Sequence, residues 1–198
     1  MRRFFSVYYY SAVFVPDAIP KLIQRLHDEE TRVSLLAART LFSYREHPEF
    51  GRVLDHLHGR LDANSMTARR HATYLIGLFR DVTAIPRLID VFDRKEKAMY
   101  DTAEDALAEI TKQRFGSNAK KWRAWWQKNQ DKSRIAWLID GLMAKESALR
   151  KSAAEELRAV TGLDMGYDDD APKRQREESR QRWIEWWAKQ SASPAEQR

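Results

Sequence analysis

The sequence predicts an all-α chain, a right-handed α-solenoid of about four helix pairs with two additional tryptophan-rich helices. Three observations carry that expectation. A four-residue apolar template recurs four times at helical spacing, and each copy is followed by a second apolar series with alanine at a fixed position. Gly and Pro number only 7 and 6 in 198 residues, too few turn formers for a β-sandwich or barrel.

The first template is Ile19, Leu22, Ile23 and Leu26, at i, i+3, i+4 and i+7, which places all four on one helix face. It returns at Phe50, Val53, Leu54 and Leu57, at Ile85, Leu88, Ile89 and Phe92, and at Ile135, Leu138, Ile139 and Leu142. Identities extend the match: Ala18-Ile19-Pro20-Lys21-Leu22-Ile23 repeats as Ala84-Ile85-Pro86-Arg87-Leu88-Ile89. Proline is tolerated in a first helical turn because its missing N–H has no partner there. The partner helices carry Val33, Ala37, Leu41 and Tyr44, then Ala68, Ala72, Ile76 and Phe79. The third and fourth copies are Met99, Ala103, Leu107 and Ile110, and Leu149, Ala153, Leu157 and Val160. The invariable alanine at the second position lets a neighbouring helix approach closely. Starts spaced by 31, 35 and 50 residues make helix pairs in series, each unable to bury its apolar face alone.

Asp28 and Arg32 at the first turn, with Val33 and the run Leu35-Leu36-Ala37-Ala38, resemble a HEAT repeat, and the resemblance covers about residues 17–160. After the last two repeats, Ala103 to Thr111 aligns with Ala153 to Thr161 at a constant shift of 50, and Phe115-Gly116 with Met165-Gly166. Each is followed by an aromatic helix bearing Trp122, Trp125 and Trp126, or Trp183, Trp186 and Trp187. This arrangement is similar to a bacterial branch of HEAT-repeat proteins, a resemblance that implies an architecture and no reaction. The expected organisation is an aromatic capping segment at 1–16, a HEAT-like solenoid at 17–190 and a disordered tail at 191–198. Its repeats run at about 17–46, 48–80, 82–130 and 131–190.

The aromatic start, Met1-Arg2-Arg3 followed by Phe4 to Val15, has two readings. It caps the hydrophobic end of the first repeat, or residues 4–15 serve as a signal or membrane-interface anchor. The first reading goes with a cytoplasmic protein, the second with a periplasmic one. It is shorter than the ~20 residues a spanning helix needs. Without cysteine, the chain has no disulfide, thiolate nucleophile or cysteine-ligated zinc. The net charge of +6 is spread along the chain, with 15 basic and 11 acidic groups in the first 95 residues and 20 and 18 in the rest. A dedicated nucleic-acid binder shows a denser block.

No residue pattern reaches a catalytic constellation, and no cofactor or metal is expected. The five histidines are His27, His47, His56, His58 and His71. Helical spacing sends His56 and His58 to different sides, and no His-Glu dipeptide occurs, which excludes the iron-site motif of HEAT-type deoxyhypusine hydroxylases. The acidic turn Asp164, Asp168, Asp169 and Asp170 lacks the alternating ligands of an EF-hand and reads as capping. The tryptophan triplets read as clamps that dock an added helix on its own repeat, with an exposed recognition surface as the second reading. Trp137 stands off its helix template and is expected to be a partly exposed anchor.

The HEAT resemblance implies that the second helices line a concave face. Arg32, Arg39, Arg69, Arg70 and Arg150, with Lys97 and Lys151, lie on or beside them. Acidic Glu104, Asp105, Glu155 and Glu156 interrupt the series, so a mixed-charge protein groove fits better than a phosphate track. The expected function is a non-catalytic adaptor that binds a protein partner with an acidic segment, through Arg32, Arg39, Arg69, Arg70, Arg150 and Trp137. Two further readings rest on the fold: a relative of the HEAT-like alkylation-repair DNA glycosylases, and a phycobilin-lyase-type protein.

Overall fold

The computed structural model describes residues 18–192, which form ten α-helices and no strand. The N-terminal aromatic segment and the last six residues lie outside the described residues. Residues 191 and 192, expected in the tail, instead complete the last helix, where Ser191 Oγ donates to Trp187 O at 2.9 Å. No helix among the described residues is long and apolar enough to cross a membrane. The chain divides into two compact units, one ending at Ala84 and the other beginning at Ile85.

The first unit holds α1 (Ile19–Arg25), α2 (Thr31–Ser43), α3 (Gly51–Arg60) and α4 (Met66–Phe79). Helix α1 packs on α2 and α3 on α4, and α1 also touches α3. Their seam is the template itself, with Leu22, Leu26, Val33, Ala37, Leu41, Val53, Leu57, Ala72 and Ile76 buried. Pro20 sits in the first turn of α1, where it displaces no hydrogen bond. Ser65 caps α4 by accepting the N–H of Ala68, whereas α2 begins at Glu30 without a side-chain cap. Phe79 closes the far end of the unit, edge-on to Phe50 and stacked with Phe42.

The second unit holds α5 (Ile85–Asp93), α6 (Tyr100–Thr111), α7 (Ala119–Asn129), α8 (Arg134–Gly141), α9 (Ser147–Thr161) and α10 (Lys173–Ala192). Helices α5 and α6 pair, as do α8 and α9. Each tryptophan helix returns onto the first helix of its own pair, α7 onto α5 and α10 onto α8. Trp122 and Trp183, at equivalent places, are buried. An indole of this kind removes ~150–250 Å² from water, which at ~25 cal/mol per Å² is about 4–6 kcal/mol each. The turns before them also match: Gly116 and Gly166 both take φ near +63°, a conformation that glycine adopts without strain. The carbonyl of Gly116 accepts from Trp122 Nε1 at 2.8 Å, and that of Gly166 from Ser179 Oγ at 2.9 Å.

Every template position among the described residues is buried except five. Ile23, Leu54, Ala68 and Ile135 are half-buried, and Val160 is 60% exposed. Val160 departs from its counterpart Ile110 for a physical reason. Helix α6, which carries Ile110, touches the next pair through α8, and among the described residues no further helix pair packs on α9.

A buried ionic group ties α6, α8 and α9. Lys112 follows α6 with left-handed backbone at φ 56°, where the shift-50 equivalent is Gly162. Its fully buried Nζ lies 2.9 Å from Ser152 Oγ, 2.9 Å from a Glu109 carboxylate oxygen and 3.6 Å from one of Glu156. Arg134 binds Glu156 through two parallel bonds of 2.8 Å. Lys112 Nζ donates to Ser152 Oγ, which joins the loop after α6 to α9.

Candidate functional site

The first unit opens a cleft of about 620 Å³ where its two helix pairs turn. His27 and Asp28 come from the turn after α1, and Thr31, Ser34 and Leu35 from the start of α2. Arg60 ends α3, and Ser65, Thr67, Ala68, His71 and Tyr74 come from the start of α4. The volume is that of a small-molecule or side-chain site. Two large apolar side chains that stay exposed, Leu35 at 43% and Tyr74 at 49%, both border it.

Two imidazoles line the cleft, His27 from the turn after α1 and His71 from α4, and His56 from α3 meets His27. His27 and His56 meet Nε2 to Nε2 at 2.8 Å, so one ring donates its proton to the lone pair of the other. His71 stands edge-on to His27, with centroids 5.5 Å apart. Its Nε2 lies 3.4 Å from Ser34 Oγ. Ser34 has already given its proton to Leu26 O at 2.7 Å, so it can only accept from His71. That direction is the reverse of a nucleophile activated by a base.

All three rings are pushed toward the neutral form. Burial lowers His27 to about 4, with Arg60, His56 and His71 adding repulsion. Burial and then Arg60 lower His56 and His71 as well. The lone carboxylate at the lining, Asp28, is held by Arg25 at 3.4 Å and accepts the N–H of Glu30. Arg60 Nε is buried and has no hydrogen-bond acceptor among the described residues. A guanidinium that repels protons repels metal cations equally. Two nitrogens on one zinc would also stand about 3.3 Å apart, wider than the His27–His56 contact. No group of three or more metal-ligating side chains occurs among the described residues.

The residues expected from sequence to bind a partner divide into two groups. Arg32 and Arg39 are exposed on α2, Arg70 is exposed on α4, and Arg69 is half-buried there. These helices are the ones whose first turns line the cleft. Trp137 and Arg150 are elsewhere and are corrected. Trp137 is 2% exposed, with Nε1 donating to Asn129 O at 2.9 Å and its ring against Trp125 and Trp126. It stands off the α8 template because it meets the tryptophan helix α7 rather than the paired helix α9. Arg150 is spent on backbone, with Nε and Nη2 on Asp169 O and Nη1 on Ala144 O and Lys145 O. It clamps two loops.

The acidic turn, expected to cap a helix, instead closes its own loop and reaches the first residue of α9. Asp164 accepts the N–H of Gly166, Asp168 that of Asp170, and Asp169 and Asp170 both accept from Ser147 Oγ. His58 pairs with Asp81 at 2.5 Å, away from His56, as the helical spacing requires. The cluster of His27, His56, His71 and Arg60 was not assembled from sequence, because its members are separated by up to 44 positions and belong to no repeated pattern. One signal did point to it: Leu35 and Tyr74 are apolar residues outside the second-helix template. No protein-family model matches the chain, and no curated protein matches it significantly.

Proposed function

We propose that the chain is a HEAT-like α-solenoid adaptor, non-catalytic, that holds a partner protein by an acidic segment seated in the cleft of its first four helices. One observation carries the proposal: Leu35 and Tyr74 stay exposed in the lining of a cleft whose guanidinium is Arg60. An apolar rim beside an arginine and uncharged imidazoles suits a segment that mixes carboxylates with an apolar anchor. Arg32, Arg39, Arg69 and Arg70 lie on the two helices whose first turns line the cleft. The recurring apolar templates and the paired helices support the solenoid, and the polarity of the Ser34–His71 contact supports an adaptor rather than a hydrolase.

Fluorescence polarisation with a dye-labelled peptide rich in Glu and Asp, bearing one Phe, tests this reading. Arg60→Ala and Tyr74→Ala are each expected to weaken binding by tenfold or more, and the four surface arginines by a few-fold each. Unchanged affinity in the Arg60→Ala/Tyr74→Ala double variant sinks the assignment. Tight binding of duplex DNA that collapses steeply with added salt would replace it by the nucleic-acid reading.

A further inference from the structure

We infer that the cleft takes the phosphoryl dianion of a phosphorylated side chain within that acidic segment. Arg60, His27 and His71 supply donors to its oxygens, and Leu35 and Tyr74 flank the group that carries it. The inference rests on the preceding reading, which makes the cleft a seat for a partner segment.

The balance of donors and acceptors comes first. Guanidinium, imidazole and hydroxyl groups line the cleft, and its one carboxylate, Asp28, is already engaged by Arg25 and by the Glu30 N–H. A ligand rich in acceptors and free of donors fits such a lining. A phosphomonoester offers three acceptor oxygens and about −1.5 to −2 charges at pH 7. Arginine meets phosphate best through two parallel N–H bonds, and Arg60 is the guanidinium that lines the cleft. Helices α2 and α4 also begin at the cleft, which adds the positive ends of two dipoles.

Charge then separates phosphate from carboxylate. A carboxylate is neutralised by Arg60 alone, whereas a dianion calls for a second positive charge. The imidazoles can supply it. Facing His27 are Asp28 with Arg25 from its own turn, His56 and Arg60 from α3, and His71 from α4. Burial and then Arg60 hold the rings toward the neutral form, and a bound dianion offsets the second cause and favours a proton on one ring. The His27–His56 bond allows one extra proton on the pair and not two.

The test uses the full chain at pH 7 with phenyl phosphate, inorganic phosphate and benzoate as probes. Imidazole NMR signals are followed, and calorimetry is run in buffers of different ionisation enthalpy. Phenyl phosphate is expected to bind at least tenfold more tightly than benzoate, to take up protons, and to move the signals of His27, His56 and His71 but not His47. Arg60→Gln is expected to remove that preference. Inorganic phosphate is expected to bind more weakly, because it has nothing for Leu35 and Tyr74. Phenyl phosphate that binds no better than benzoate, or leaves the three signals in place, overturns the inference. Inorganic phosphate that matches phenyl phosphate overturns the side-chain source. If the acidic peptide binds and phenyl phosphate does not, the phosphoryl inference fails alone. If phenyl phosphate binds and the acidic peptide does not, the adaptor reading fails.

Discussion

The first unit lines an open cleft with Arg60, His27 and His71, whereas the second turns several of its cations inward onto carboxylates and carbonyls. Arg134 and Lys112 close on Glu156, Arg150 on Asp169 O, Arg158 on Tyr167 O, and Arg180 on Ile139 O and Asp140. The same helix-pair template underlies both units, so the core does not decide the contrast. The added helices do. In the second unit α7 and α10 return over the first helices of their pairs and bring loops whose carbonyls need donors. The first unit has no such helix among its described residues, and its cleft stays open.

That difference can be broken most severely at the clamps. Trp183→Ala removes an indole packed on Leu138, Ile139, Leu142, Leu157 and Tyr167. It is expected to destabilise the second unit by about 3–5 kcal/mol in denaturant unfolding. The expected loss in the first unit is far smaller, as reported by hydrogen exchange of α1–α4. Next comes the ionic group. Glu156→Ala strands Arg134 and the fully buried Lys112 without their shared carboxylate, which is expected to cost about 3 kcal/mol. If either substitution loosens both units equally, they do not behave as separate structures.

A smaller effect comes from close approach. A methyl group at Gly141 would lie 2.7 Å from Lys112 Cβ and 3.0 Å from Ala153 Cβ. Gly141→Ala is therefore expected to lose about 1–3 kcal/mol. Gly59→Ala is the control, with nothing within 4 Å of the added carbon. Equal melting temperatures for the two variants would mean that the α8–α6 approach is looser than these distances.

The helices and their seam were legible in the sequence, because the apolar template is a local signal that helical geometry translates directly into one buried face. Whether an off-template apolar residue is buried was not legible. Trp137, Leu35 and Tyr74 all carry that signal, yet Trp137 is covered by α7 while Leu35 and Tyr74 stay exposed. What separates them is the presence of an added helix beside one and not beside the others, a fact of tertiary packing. The histidine cluster was hidden for a related reason. His27 follows the last template residue of α1 and His56 precedes that of α3, so they hold different helical registers and meet only because α1 touches α3.

Acid should distinguish the units more gently than the substitutions. His27, His56 and His71 have folded pKa values below the ordinary 6.5, His27 near 4. The unfolded chain therefore binds more protons between those limits, so stability falls as pH drops from about 6.5 toward 4 and levels off below. The rings are half-buried, and solvent screening keeps the effect modest. Amide exchange across α1–α4 should accelerate in this window while exchange across α8–α10 changes less. The opposite order would mean that the imidazoles are not what acid attacks.

Arg60→Ala should be the mildest change and the most informative. Arg60 has a buried Nε with no acceptor among the described residues, so its removal is expected to alter stability at pH 7 by no more than about 0.5 kcal/mol. Arg60 is also a cause of the depression shared by all three imidazoles, second to burial in each. Without it their pKa values rise toward 6.5, the window of proton release narrows from its lower end, and the first unit resists acid better. A substitution that does little at neutrality yet protects at pH 5, read by the same exchange measurement, is hard to produce by packing alone. If Arg60→Ala instead sensitises the unit to acid, the guanidinium holds structure together there, and its place at the cleft reflects support of the fold rather than readiness for an anion.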